Sequence, residues 1–303
     1  MSAGVKLTAM AATLVLAFGW GALHKPADFQ PEYDQDNATL DALPPLPAWA
    51  MADLPDFTDY HDTAEKKAAF FSFLYPRIVL ANTRVLMLRD NLEILERKPK
   101  LTGQEMAWLK RQAKRLRVDA DIASPEMYEV LNRRLDVIPP SLIMAQAANE
   151  SAWGTSRFAT QGNNLFGQWC FTKGCGLVPR SRVEGATHEV AAFASPYESI
   201  RAYITNINRH DSYQALRNTR EQAREKDRFP GGVALAQGLI GYSERGAAYV
   251  EEIQAMIRHN NLGYYDKEYK ALIGSSNTLP ELLRLATGDE SAFTPGGIAK
   301  SEG

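Results

Sequence analysis

Glu150 is the residue of this chain whose surroundings most need explaining. It lies in LIMAQAANESAWG, Leu142 to Gly154, a segment otherwise built of apolar and small residues. On a helix, Ile143, Gln146, Ala147, Glu150 and Trp153 fall along one stripe, so the carboxylate has largely apolar companions. Poor hydration disfavours the charged form, and the negative end of the helix dipole acts in the same direction. The expectation is a carboxyl group that keeps its proton nearer neutrality than a free glutamate, which is what a general acid requires. The plainer alternative is an ion pair with Arg157 that only fixes the helix end.

Several elements must hold this group in place. The segment Pro140 to Trp153 has hardly any polar face and belongs in the middle of a protein, with Gly154 as its stop. Upstream, Asp62 with Glu65 opens a helix running to about Lys98 and interrupted by Pro76. Thr102 with Glu105 opens a second, to about Val118, and Ser124 before Pro125 a third. Downstream, Thr160 to Ser199 is rich in Gly, Asn and short alternating runs, which predicts loops and a small hairpin. Ser195, Pro196 and Glu198 restart helical structure, continued over 212–227, 230–241 and 246–260.

The flanks read differently. Leu7 to Leu23 carries no charge between Lys6 and His24, a length that spans a bilayer core only marginally, so it reads as an export signal or a short membrane anchor. Pro26 to Tyr60 is acidic and Pro-rich, with no Lys or Arg between Lys25 and Lys66, and reads as an extended spacer. The stretch 273–303 reads as a loosely attached tail.

Cys170 and Cys175, the only cysteines, bracket CFTKGC. A disulfide there would contribute about 2 kcal/mol by loop entropy, and an exported compartment would permit it. Free thiols or a metal site are the alternatives, with His188 the only histidine near in sequence. A formal net charge of -2 with no long basic run gives no field for a phosphate backbone, so nucleic acid is not an expected partner. No glycine-rich phosphate loop or H-E-x-x-H is present, and GYSERG lacks the G-x-S-x-G spacing, so neither cofactor nor metal is expected.

The segment AQAANESAWGTSRFA followed by GNNLFG resembles the signature of the N-acetylglucosaminidase domains of glycoside hydrolase family 73, which includes Bax-like proteins and the flagellar peptidoglycan hydrolase. EVAAFASPYESIRAYITNINRHDSYQALR and GYSERGAAYVEEIQAMI extend the resemblance, which runs from about Arg134 to Leu262 and is strongest to the Bax-like branch. The pattern E-S-x-x-G alone also occurs in lysozyme-like lytic transglycosylases.

The resemblance implies a mostly helical α+β fold, a lysozyme-like domain with a small β-hairpin beside the active-site cleft. It implies cleavage of peptidoglycan glycan after N-acetylglucosamine, with Glu150 as proton donor. A second acid would lie on the hairpin, where Glu189 and Glu184 are available; alternation puts Glu189, Ala191 and Phe193 on one strand face, which favours Glu189. The substrate's own acetamido group could replace it. Tyr242 matches a cleft tyrosine, although YSERG stands where many members have threonine, aspartate and proline. Asn163, Asn164 and Phe166 are candidates to hold and floor the sugar, or else serve the turn and the core, and Trp169 is a candidate stacking platform. Trp153 reads as packing behind Glu150.

The expected organisation is a signal or anchor over 1–24, a linker over 25–61, a helical extension over 62–136, the glucosaminidase domain over 137–266 and a tail over 267–303. The expected partner is peptidoglycan, with a membrane through the N-terminal segment if that is uncleaved, in the periplasm or cell envelope. A lytic transglycosylase and a non-catalytic cell-wall-binding scaffold are the rival readings.

Overall fold

The computed structural model describes residues 43–180, 182, 185–274 and 279–293. The apolar segment Leu7 to Leu23 lies outside them, as do Glu184 and the acidic residues before Leu43. Among the described residues no helix is long and apolar enough to cross a membrane.

Helix α1 (Thr63–Glu96) starts where Asp62 accepts from the backbone N–H of Ala64 and Glu65, and it continues through Pro76. Helix α2 (Gly103–Leu116) opens with the reciprocal Thr102 and Glu105 capping box, and α3 (Pro125–Arg134) with Ser124 accepting from Met127. Helix α4 (Pro140–Ser151) is buried from Pro140 to Ala148. Then follow α5 (Arg157–Gly162), β1 (Trp169–Cys170), β2 (Gly176–Leu177) and β3 (Glu189–Ala191). The strands form one antiparallel sheet in the order β1-β3-β2, pairing Trp169 with Val190 and Leu177 with Val190. Helices α6 (Pro196–Arg209), α7 (Gln214–Glu225), α8 (Gly232–Leu235), α9 (Ala247–His259), α10 (Gly263–Ile273) and α11 (Leu279–Thr287) complete the described chain. The result is a mostly helical α+β fold with a small antiparallel sheet.

The main core gathers around α4, with Leu74 and Ile78 of α1, Ile200 and Ile204 of α6, and Ile253 and Ile257 of α9. A second cluster joins the end of α1 (Leu92, Leu95) to α2 (Trp108, Leu109) and α3 (Met127, Leu131). Helix α1 is thus central to the domain. Asn82 takes both backbone groups of Ile138, just ahead of α4: its Nδ2 donates to the carbonyl at 2.8 Å and its Oδ1 accepts from the N–H at 3.1 Å.

Both flanks are more firmly attached than their composition suggests. The described part of the acidic stretch is not a free spacer, because Ala50 and Phe57 are buried and Trp49 donates to Gly288 O at 3.0 Å. Nor are residues 279–293 a loose tail: Leu282, Leu285, Ala286 and Phe293 are buried in the main core, and Arg77 pairs with Glu290 at 2.7 Å. In each case a few apolar side chains among polar neighbours provide enough burial to hold the strand of chain down.

Candidate active site

Helix α4 is fixed at both ends. Its N-cap, Pro139, has no side-chain donor or acceptor to offer, so the exposed N–H groups of the first turn are met from elsewhere. Asp266 of α10 accepts from Ser141 N at 2.8 Å and Ser141 Oγ at 2.6 Å, and from Gly232 N at 3.2 Å. Burial pushes the Asp266 carboxyl up, against these three bonds. Glycine is required at 232, since a Cβ there would meet Ser141 Oγ at 2.1 Å.

At the other end Ala152, Trp153 and Gly154 all take positive φ, of 51°, 60° and 78°. This left-handed run ends the helix two residues earlier than Gly154 alone would, and turns Trp153 off the stripe it would occupy on a longer helix. Its ring packs against Phe70 and Phe71, with centroids 5.8 and 5.4 Å away. A Cβ at 154 would lie 2.6 Å from Phe57 Cδ2. Glu150 is left in the last turn, half-buried.

The carboxyl meets a tyrosine. Tyr249, in the first turn of α9, donates to Glu150 Oε1 at 2.7 Å, and Asn149 Nδ2 approaches the same oxygen at 3.4 Å. Beneath them, Gln146 Nε2 donates to Tyr249 Oη at 2.8 Å, and the Gln146 amide oxygen accepts from Tyr203 of α6. Burial raises the Glu150 pKa above the ordinary glutamate value, opposed by the bonds from Tyr249 and Asn149 and by the Arg245 charge. Arg157 does not pair with Glu150. It donates to Val178 O at 2.8 Å and covers the Phe158 ring.

The remaining candidates divide. Tyr242 is partly buried and stacks on Tyr249 with centroids 5.4 Å apart and planes 7° apart, while its hydroxyl donates to Phe166 O at 3.2 Å. Phe166 is buried, stacked on Tyr203 at 4.2 Å. Asn164 is buried: its Nδ2 donates to Gln168 O and Ala191 O, and its Oδ1 accepts from Phe166 N and Gln168 N. Asn163 is the left-handed cap of α5 and donates to Phe193 O at 3.1 Å. These three residues therefore shape the loop and tie it to the sheet. Trp169 is 60% exposed and stacks on His188 at 4.1 Å.

Cys170 and Cys175 are bonded, with Cα atoms 6.2 Å apart. Glu189 lies close to both sulfurs, but sulfurs bonded to each other are not thiolate ligands, so the group does not suit a metal. The Glu189 oxygens accept from Gly174 N at 3.0 Å and Gly176 N at 2.9 Å, inside and just beyond the disulfide ring. Those two backbone donors hold its pKa below the usual glutamate value. A separate shallow recess, lined by Arg84, Arg115, Tyr197 and Arg201 among others, has neither Glu150 nor any carboxylate in its lining.

The glucosaminidase family model, described as mannosyl-glycoprotein endo-beta-N-acetylglucosaminidase, matches residues 125–262. Protein bax of Escherichia coli (strain K12) is 34% identical over 208 residues, covering 68% of this chain and 74% of that protein. This chain belongs to the glucosaminidase family. Its function is accordingly of the glycan-hydrolase type. No solved structure matches.

The glucosaminidase match includes Glu150, Glu189, Tyr242 and Tyr249 but leaves out α1, α2, α10 and α11. Sequence reading selected Tyr242 and passed over Tyr249, although Tyr249 is the one that touches the carboxyl. The available signal was its place seven residues on, at the start of a helix after Gly246. In the YSERG departure, Ser243 O accepts from Gly246 N at 3.0 Å, a tight turn with Gly246 at φ 54°, and Arg245 lies over the Tyr249 ring at 5.7 Å.

Proposed function

We propose that this protein is an endo-β-N-acetylglucosaminidase that cleaves the glycan strand of peptidoglycan, with Glu150 as the general acid. The observation that carries the reading is the half-buried Glu150 carboxyl at the end of a central helix, biased towards its protonated form and oriented by Tyr249. Glycosidic cleavage needs a proton for the departing oxygen and negative charge near the oxocarbenium-like centre. Glu189 is the ionised candidate for that charge. Its environment pushes its pKa down while that of Glu150 pushes up, the divergence expected of two carboxylates with different roles. The exposed Trp169 ring supplies an apolar face on which a sugar can stack. The work of such an enzyme lies outside the cytoplasm, in the periplasm or envelope, with the apolar segment Leu7 to Leu23 as export signal or anchor.

One observation favours a second reading. Because the Glu189 oxygens already accept backbone N–H groups, chemistry that uses Glu150 alone is also served by this site, as in a lytic transglycosylase. Digestion of purified peptidoglycan by wild type and Glu150→Gln, with mass analysis of the new ends, tests both. Reducing N-acetylglucosamine ends from the wild type, nearly absent with Glu150→Gln, support the glucosaminidase; anhydro ends indicate the transglycosylase. Binding without any new ends overturns both and leaves a wall-binding scaffold.

A further inference from the structure

The Tyr203, Gln146 and Tyr249 side chains form a one-way chain of hydrogen bonds that ends on a single oxygen of Glu150. Gln146 Nε2 can only donate, so Tyr249 Oη must accept from it at 2.8 Å. The Tyr249 proton then has one acceptor, Glu150 Oε1 at 2.7 Å. The amide could in principle be turned round, with its oxygen towards Tyr249. Tyr203 opposes this: it is buried, and among the described residues its hydroxyl has the Gln146 amide as its hydrogen-bond partner. With the amide reversed, the Tyr203 oxygen would accept from the amide N–H, and its own proton would have no acceptor among the described residues, a costly state in the core. Asn149 Nδ2 adds a second, weaker donor to Oε1, and among the described residues no donor reaches Oε2.

We propose that this relay assigns the acidic proton of Glu150 to Oε2, and that Tyr203 and Gln146 are positioning residues for the acid although neither bonds to it directly. The proposal rests on the glucosaminidase reading for its catalytic consequence, but the relay itself does not. In the acid step the Oε2–H bond breaks, an O–H bond forms to the departing glycosidic oxygen, and the electron pair of the severed C–O bond goes with that oxygen. The Tyr249 bond to Oε1 stays in place and strengthens as the carboxylate forms. With the relay reversed, Glu150 would instead carry its proton on Oε1 and donate it to Tyr249, away from the substrate.

The groups facing Glu150 are Tyr249 and Glu252 of α9, Arg245 of the preceding turn, Tyr203 of α6, and Tyr213 and Tyr242. Arg245 pairs with Glu252, so their opposing effects partly cancel. The tyrosine hydroxyls stay protonated, since burial raises Tyr203, Tyr242 and Tyr249 far above their ordinary range. Of Glu150 and these three tyrosines, the carboxyl is therefore the group that gives up its proton first.

The test uses the full-length protein and Tyr203→Phe, which keeps the ring stacked on Phe166, together with Tyr249→Phe and the double variant. The protonated carboxyl of Glu150 is followed by infrared difference spectroscopy against pH, its band identified by loss in Glu150→Gln. Release of ends from purified peptidoglycan gives kcat and KM in parallel. Losing a donor to the ionised form favours the neutral form; Tyr249→Phe removes that donor outright and Tyr203→Phe frees the Gln146 amide to turn and draw the Tyr249 proton away, so both single variants should move the titration to higher pH, and the double variant no further than Tyr249→Phe. In Tyr203→Phe the basic limb of the activity profile should move with it and kcat fall about tenfold at unchanged KM, a fraction of the ~10² to 10⁴ that positioned proton transfer supplies.

A titration unmoved by Tyr203→Phe but moved by Tyr249→Phe would overturn the relay, and so would a shift to lower pH. Gln146→Met, which removes both links at similar length, offers the same readout should Tyr203→Phe not fold. A Glu150→Gln protein that still cleaves the glycan would sink the functional reading while the infrared shifts continued to support the relay.

Discussion

Asp136 sits in the connection between α3 and α4, and replacing it by asparagine is the sharpest test of how α4 is held. The carboxylate is buried and accepts from Val137 N at 2.8 Å and from Arg224 Nε at 2.6 Å, with Arg220 Nε 3.5 Å away. Arg220 is itself fully buried, and its other donors go to Asp136 O, Val137 O, Asn208 Oδ1 and Arg133 O. Burial alone would raise the Asp136 pKa, but Arg220 and Arg224 outweigh it and hold the group at about 2. Removing the charge leaves the Arg220 guanidinium buried without its counter-ion, which costs about 3–5 kcal/mol. That is a large fraction of the ~5–15 kcal/mol that keeps a typical domain folded.

The pH dependence has a definite sign. A carboxylate whose folded pKa is depressed stabilises the fold above its unfolded value and loses that contribution as pH falls towards the folded one. From 3.8 to about 2, at roughly 1.4 kcal/mol per unit, the contribution is about 2–3 kcal/mol. Urea unfolding of wild type and Asp136→Asn from pH 7 down to pH 3 should therefore show a gap that is widest at neutral pH and narrows below about pH 4. The reasoning fails if the two proteins differ by less than about 1 kcal/mol at pH 7, or if the gap is constant across the series.

Three other residues offer tests of the same geometry. Glu150→Gln should lower turnover by about 10² or more yet leave unfolding at neutral pH unchanged or slightly harder, because a raised folded pKa stabilises only at low pH and is lost as pH rises; urea midpoints at pH 5 and pH 8 check this. Gly154→Ala should cost about 3 kcal/mol by thermal melting, since it combines a left-handed backbone with a methyl group driven into Phe57. Glu189→Ala should speed reduction of the Cys170–Cys175 bond by dithiothreitol, because the loop loses the acceptor for Gly174 and Gly176. Comparing kcat for Glu189→Gln with that reduction rate then separates a catalytic charge from a loop anchor.

What could be read in the sequence was local. The caps at Asp62, Thr102, Ser124 and Ser195 rest on contacts two or three residues away, and each is found where the residue types place it. The buried character of α4 is written in its own composition, and so is the anomaly of Glu150. What escaped was contact between distant segments. Tyr249 reaches Glu150 across 99 residues, Tyr203 reaches Gln146 across 57, and Asp266 reaches Ser141 across 125. No periodicity carries such pairings. The asparagines of GNNLFG illustrate a different difficulty: a polar side chain in a loop can face a ligand or satisfy the loop's own backbone, and only the folded arrangement shows that Asn164 does the latter four times over. Sparse apolar residues in the flanks are likewise outnumbered by charged and small neighbours, although Phe57 and Phe293 lie inside the core.

The acceptor that closes the start of α4 comes from Asp266, four residues past the end of the family match at residue 262. A fragment trimmed to the matched block would therefore begin its central helix with two buried donors of Ser141 facing nothing, and would also lack Asn82 to receive Ile138. The folded core is larger than the block that the family model matches. Recombinant expression, domain grafting or truncation of this protein should take its boundaries from the pins at Asn82 and Asp266, not from the ends of that block.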